Sequence, residues 1–158
     1  KRPDEDNKLD GCYWEMINNC DNKYPTILLR IDKDEQPDVT LIAYGGMSQL
    51  AFKAAMNSFF SEEICTDLLI PSLIKPLPLE DFLPSIKRTG KVVIVEESVR
   101  TSGWGAELAC QITEKAFGYL KKPIVRVGAK ELPIPSSKLL EDKILPQIID
   151  IEEALLNC

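Results

Sequence analysis

Apolar residues fall along this chain in short unbroken runs, separated by stretches where they recur every third or fourth position. TILLRI (26–31), VTLIAYG (39–45), CTDLLI (65–70), KVVIVE (91–96) and PIVRV (123–127) are such runs. A strand apolar on both faces is covered on both sides, as in a parallel sheet between helix layers. The first run ends at a charged turn, Asp32 to Asp38. Between the runs, Leu50, Ala51, Ala54, Ala55 and Phe59 predict a helix over Ser48–Phe60 with Ser48 as its N-cap. Leu108, Ile112, Ala116 and Tyr119 predict a longer one over Gly105–Leu120. A helix from about Leu79 to Arg88 carries Pro84 inside it, which moves its start toward Ser85 or kinks it, and Thr89-Gly90 ends it. A last helix is expected at about Pro146–Leu156. Strand and helix alternate four times, which predicts an α/β three-layer sandwich.

Residues 1–24 are polar and charged and read as a linker or arm, with a short amphipathic piece at Cys12–Ile17 suited to one helical turn. Residues 25–158 then form the single domain that 158 residues suggest. The chain opens on Lys1 rather than Met, the pattern of a fragment or a processed protein.

Composition narrows the functions. A net charge of −6 disfavours nonspecific nucleic-acid binding, which needs cations to displace counterions from phosphates. The chain has no histidine, and its five cysteines (Cys12, Cys20, Cys65, Cys110, Cys158) form no CxxC pair, which argues against a zinc site. An odd, scattered set of thiols suits a reducing, cytoplasmic setting, with Cys65 and Cys110 read as small core residues. No apolar run approaches the roughly 20 residues of a membrane span. Without histidine the commonest general base at neutral pH is missing. No nucleophile elbow or phosphate loop is present, and Gly45-Gly46 lacks the wider dinucleotide spacing.

The most informative segment is the loop after the clearest strand, Glu96-Glu97-Ser98-Val99-Arg100-Thr101-Ser102-Gly103-Trp104-Gly105. Open α/β sheets bind ligands beyond the carboxyl ends of their strands. Two readings of the loop stand side by side. In one, amides opening the next helix receive an anion or carboxylate, with Gly103 and Gly105 giving unusual backbone angles and close approach. In the other, the loop is a tight structural turn, with Trp104 packed as a lid and Glu96 or Glu97 paired with Arg100.

At these residues the chain resembles the C-terminal domain of transketolase-like enzymes, most of all the beta subunit of 2-oxo-acid dehydrogenases such as pyruvate dehydrogenase. The pieces that carry it are DVTLIAYGGMSQLAFKAA (38–55), PLPLED (76–81), SIKRTGKVVIVEES (85–98), SGWGAELA (102–109) and KKPIVRVGAKELPIP (121–135), in order over about Pro25 to Leu155. The resemblance implies an α/β/α sandwich around a five-stranded, mostly parallel sheet with one antiparallel strand. It also implies an oligomeric parent oxidoreductase that uses thiamine diphosphate and magnesium, decarboxylates a 2-oxo acid and passes the acyl group to a lipoyl arm. The family's catalytic groups and cofactor contacts lie outside this domain, so no residue here inherits them and the chain alone should be inactive. Its partners would be a preceding pyrimidine-binding domain, an alpha subunit, a second beta subunit and the lipoyl acyltransferase core. For the last, the acidic docking position falls on Glu131 and the terminal carboxylate on Cys158. The alternatives are the equivalent domain of a transketolase or deoxyxylulose-phosphate synthase, and a free-standing binding module. Residues 1–23 match nothing clear in the family.

Overall fold

The computed structural model describes residues 8–9, 12–18, 23–32 and 34–158. Its strands are β1 (Lys8–Leu9), β2 (Cys12–Ile17), β3 (Thr26–Arg30), β4 (Val39–Ala43), β5 (Thr66–Pro71), β6 (Val92–Val99) and β7 (Val125–Ala129). The helices are α1 (Met47–Glu62), α2 (Leu79–Thr89), α3 (Trp104–Ala116), α4 (Lys138–Glu141) and α5 (Ile148–Asn157). The sheet runs β1-β2-β3-β5-β4-β6-β7. β4 to β7 are parallel to one another and β3 lies antiparallel beside β5, giving the expected five strands with one reversed. Two further antiparallel strands, β2 and β1, extend it beyond β3.

The apolar runs supply both faces of the sheet. Leu41, Ala43, Val93 and Val95 point to the side covered by α1 and α5. Ile42, Val92 and Ile94 point to the side of α2 and α3, where Phe82, Ile86, Leu108 and Ile112 fill the second core. Both sides are shut off from water, so these strands show no alternation in sequence.

Several local expectations change. Cys12–Ile17 is a strand, not a helical turn: Trp14 is registered with Leu29 of β3, and a long-range partner overrides a weak local preference. Residues 1–7, 10–11 and 19–22 of the arm, Cys20 included, lie outside the described residues. Ser48 sits inside α1, whose N-cap is Gly46, and the Ser48 hydroxyl donates back to the Ala43 carbonyl at 3.4 Å. α2 starts at Leu79 and tolerates Pro84, which faces solvent. α3 gives way at Phe117 to a 3-10 turn, leaving Tyr119 exposed rather than in the core stripe. Cys65 is buried as expected, while Cys110 is exposed on α3.

Candidate functional site

The chain passes from β4 to β5 on one side and then crosses to β6 on the other, so the carboxyl ends of β4 and β6 flank the switch point where such sheets take ligands. In this place β6 is bulged against β7: Val95 pairs with Val127 but Val99 pairs with Ala129, so four steps on one strand match two on the other. The bulge turns Glu96 inward. Its side chain is fully buried, at 0% exposure.

Three groups hold that carboxylate. Arg126 of β7 donates from Nη2 to Oε1 at 2.8 Å, the Ser98 hydroxyl donates to Oε2 at 2.8 Å, and the Gly105 amide at the start of α3 donates to Oε2 at 3.0 Å. The positive end of the helix thus receives a carboxylate from the chain itself. The glycines make room for it. A Cβ on Gly105 would stand 2.7 Å from Glu96 Oε1, one on Gly103 would collide with Oε2 and the Val99 carbonyl, and one on Gly128 would lie 2.8 Å from the Ser98 carbonyl. Gly103 has an ordinary extended backbone, with φ −72. The positive φ of this loop, 57, belongs to Ser102. Close approach, rather than unusual backbone angles, is what selects glycine here.

Glu96 therefore pairs with Arg126 and not with Arg100. Arg100 is exposed; its Nη1 donates to the Arg126 carbonyl at 3.4 Å, and its own carbonyl accepts from Arg126 Nη2. Glu97 is exposed beside Gly46. Trp104 forms the expected lid: Nε1 donates to the Ile74 carbonyl at 3.1 Å, and the ring meets Tyr44 edge-on at 4.8 Å. Burial, followed by the nearby Glu96 charge, pushes the Tyr44 hydroxyl above its usual range, and a hydrogen bond with Ser98 acts the other way. Glu131 joins this loop, its Oε1 accepting the Thr101 amide at 3.1 Å from an exposed position. Cys158 is not part of the group. Its side chain is buried in the core beneath α1 and α5, and burial raises its thiol, with Lys91 opposing.

A second buried cluster had a sequence signal that pattern reading passed over: Asp67, a lone charge in the apolar run CTDLLI. Its side chain is 0% exposed and accepts from Arg30 Nε at 2.6 Å, from the Ser85 hydroxyl at 2.7 Å and from Arg88. Thr40 continues the network to Ser85 at 2.7 Å and Thr89 at 2.8 Å. Arg30 is raised further, burial being outweighed by the Asp67 hydrogen bond and charge. The cluster ties β3, β4 and β5 to α2; two arginines share one carboxylate, and Arg88 keeps 41% of its side chain exposed.

Among the described residues no three Cys, Asp or Glu side chains converge as a metal site, and no helix is long and apolar enough to cross a membrane. Both of these buried carboxylates are held in ion pairs with arginine, Asp67 with Arg30 and Arg88 and Glu96 with Arg126.

Known proteins resemble this chain in sequence and in fold. The pyruvate dehydrogenase E1 component subunit beta of Rhizobium meliloti (strain 1021) is 32% identical over 118 residues, covering 75% of this chain and 25% of that protein. The mitochondrial subunit of the same name from Pisum sativum is 33% identical over 146 residues, covering 92% of this chain and 38% of that one. The chain thus spans a quarter to two-fifths of the length of these relatives. A solved structure described as a split gene transketolase, inactive beta4 tetramer, is 28% identical with a TM-score of 0.65, covering 78% of this chain and 38% of that one. The family profile described as transketolase, C-terminal domain, matches residues 29–151, from β3 into α5, and the chain belongs to that family.

Proposed function

We propose that this chain is the C-terminal, non-catalytic assembly and docking domain of a thiamine-diphosphate-dependent 2-oxo-acid dehydrogenase beta subunit. The observation that carries this reading is the filled switch point. Where an open α/β sheet offers amides and a crevice to a ligand, Glu96 takes the Gly105 amide and Trp104 closes over Tyr44. In this reading thiamine diphosphate and its magnesium are held outside this chain: at the switch point the Gly105 amide is already taken by Glu96, and among the described residues no three carboxylates or thiols converge. The relatives' name, pyruvate dehydrogenase E1 component subunit beta, supports a parent that acts on pyruvate or a like 2-oxo acid; the acyl transfer to a lipoyl group comes from the family resemblance.

In this reading a preceding pyrimidine-binding domain and an alpha subunit supply cofactor and catalysis, and a second beta subunit completes the assembly. Glu131, exposed and fixed by the Thr101 amide, suits docking of a basic module of the acyltransferase core, where it would favour orientation and association rate. The free thiols Cys65, Cys110 and Cys158 suit a reducing compartment such as the cytoplasm.

Calorimetry of the 158-residue chain with thiamine diphosphate and magnesium tests the assignment. Neither binding heat nor pyruvate decarboxylation is expected; saturable one-to-one binding overturns it. The likeness to a split gene transketolase favours a second reading, the equivalent domain of a transketolase. The full-length subunit with its partner, offered pyruvate or a ketose phosphate, separates the two.

A further inference from the structure

The chain carries a net charge of −6, yet cations gather at the amino ends of β6 and β7. Lys87 lies in the last turn of α2, Lys91 just before β6, and Lys121 and Lys122 in the turn before β7. Local bonds hold three of them in place. Lys121 Nζ donates to the Thr89 carbonyl at 2.9 Å and its amide to the Gly90 carbonyl at 2.8 Å, so it closes the end of α2. Lys122 Nζ donates to the Asn157 carbonyl at the end of α5 at 3.4 Å, and Lys87 Nζ stands 5.4 Å from the centre of the Tyr119 ring. Among the described residues none of the four lysines makes an ion pair. A carbonyl or a ring fixes a lysine but leaves its charge whole. Beside them Phe117 and Tyr119 are 73% and 51% exposed.

Fixed, unneutralised cations beside exposed aromatic rings form a surface already organised for an anionic partner, since little side-chain freedom is left to lose on binding. Its acidic borders limit the partner's size. They are Glu114, one turn before Phe117 on α3, and Glu153, one turn before Asn157 on α5. The third is Asp38 at the head of β4, whose Oδ2 accepts the Cys65 amide at 2.9 Å. Asp67, which reaches this side through Arg88, is fully buried and already paired. A nucleic acid or an anionic bilayer would extend past these borders and meet the negative charge of the whole chain. A short acidic segment touches the lysines alone. We propose that this surface docks a short protein segment that combines aspartate or glutamate with an apolar side chain seated on Phe117 and Tyr119. It lies at the other end of β7 from Glu131 and selects the opposite charge, so it goes beyond the docking role proposed above and does not rest on it.

Fluorescence anisotropy of the 158-residue chain with a labelled oligoglutamate peptide bearing one central tryptophan, at low salt, tests this. Saturable binding is expected. Lys87→Gln/Lys122→Gln should weaken it at least about tenfold. Lys53→Gln/Lys130→Gln, at exposed lysines elsewhere, removes the same charge and should weaken it less than about twofold. Lys87→Arg/Lys122→Arg should keep binding, and Phe117→Ser should weaken it without altering its salt dependence. A zero-length carbodiimide should couple the peptide's carboxylates to Lys87, Lys91, Lys121 or Lys122. No saturation, an equal loss in the control pair, coupling at other lysines, or tighter binding of oligothymidylate or phosphatidylglycerol vesicles would each overturn the proposal.

Discussion

Arg126 Nη2 lies 2.8 Å from Glu96 Oε1, joining β7 to β6 across 30 residues of chain. The Glu96 side chain is fully buried and the Arg126 side chain 21% exposed, so the two halves of the pair are unequal. Removing the arginine strands a buried charge, whereas neutralising the glutamate leaves a cation that still reaches water. Arg126→Met should cost about 2–4 kcal/mol and Glu96→Gln about 1–2 kcal/mol. Urea unfolding with an unchanged m-value would register the difference, and equal costs would show that the burial asymmetry is irrelevant.

The glycines around that carboxylate should be intolerant in proportion to their crowding. Gly103→Ala and Gly105→Ala each press a methyl into Glu96, and a loss of about 2–3 kcal/mol is expected. Gly118, with nothing within 4 Å of its missing Cβ, should accept alanine within about 1 kcal/mol of neutral. Thermal melts of the three variants give the ranking. A Gly118→Ala chain as damaged as Gly105→Ala would refute the steric account.

Asp67 of β5 holds Arg30 of β3 and both Ser85 and Arg88 of α2. Asp67→Asn keeps the shape but removes the charge facing Arg30, which is only 11% exposed, and should cost about 3 kcal/mol. Thr40→Val deletes the hydroxyl shared by Ser85 and Thr89 and should cost about 1–2 kcal/mol. A double variant less damaged than the sum of the two would show that the residues act as one network. Strict additivity would count against it.

Cys65 gives the chain an alkaline limit. Burial pushes its thiol from 9.0 to about 11, with the Arg30 charge opposing. The folded state therefore keeps the proton that the unfolded chain releases, and stability contributed below pH 9 declines as the pH rises from about 9 to 11. Cys65→Ser, titrated at low thiol oxidation, should flatten that part of the stability profile; an unchanged slope would assign it elsewhere. In a Cys12→Ser/Cys20→Ser background the exposed Cys110 should react with a disulfide reagent at once, and the buried Cys65 and Cys158 only on unfolding.

The layer architecture was legible because β4, β5 and β6 are apolar on both faces, and Gly90 ends α2 in the left-handed conformation its lack of a side chain allows. β2 was not. CYWEMI mixes polar and apolar residues without a firm period, and its strand state comes from pairing Trp14 with Leu29. The loop after β6 was half legible. Local spacing puts Arg100 four residues from Glu96, but the register that sets Arg126 opposite Ile94 is a property of the assembled sheet. The Asp67 cluster was hidden for the same reason, its partners lying on β3 and α2.

The two ends of the sheet are unlike. β1 has only two residues, Lys8 and Leu9, so on that side the ladder tapers after β2, while β7 is five residues long with its outer edge clear of any described strand. β1 reaches only Cys12 and Tyr13 of β2, so among the described residues positions 14–17 lack a strand on that side just as β7 does on the other. The short β1 thus leaves most of its neighbour's backbone donors and acceptors to be satisfied by water or by other chain, and the half-exposed Met16 sits on that stretch.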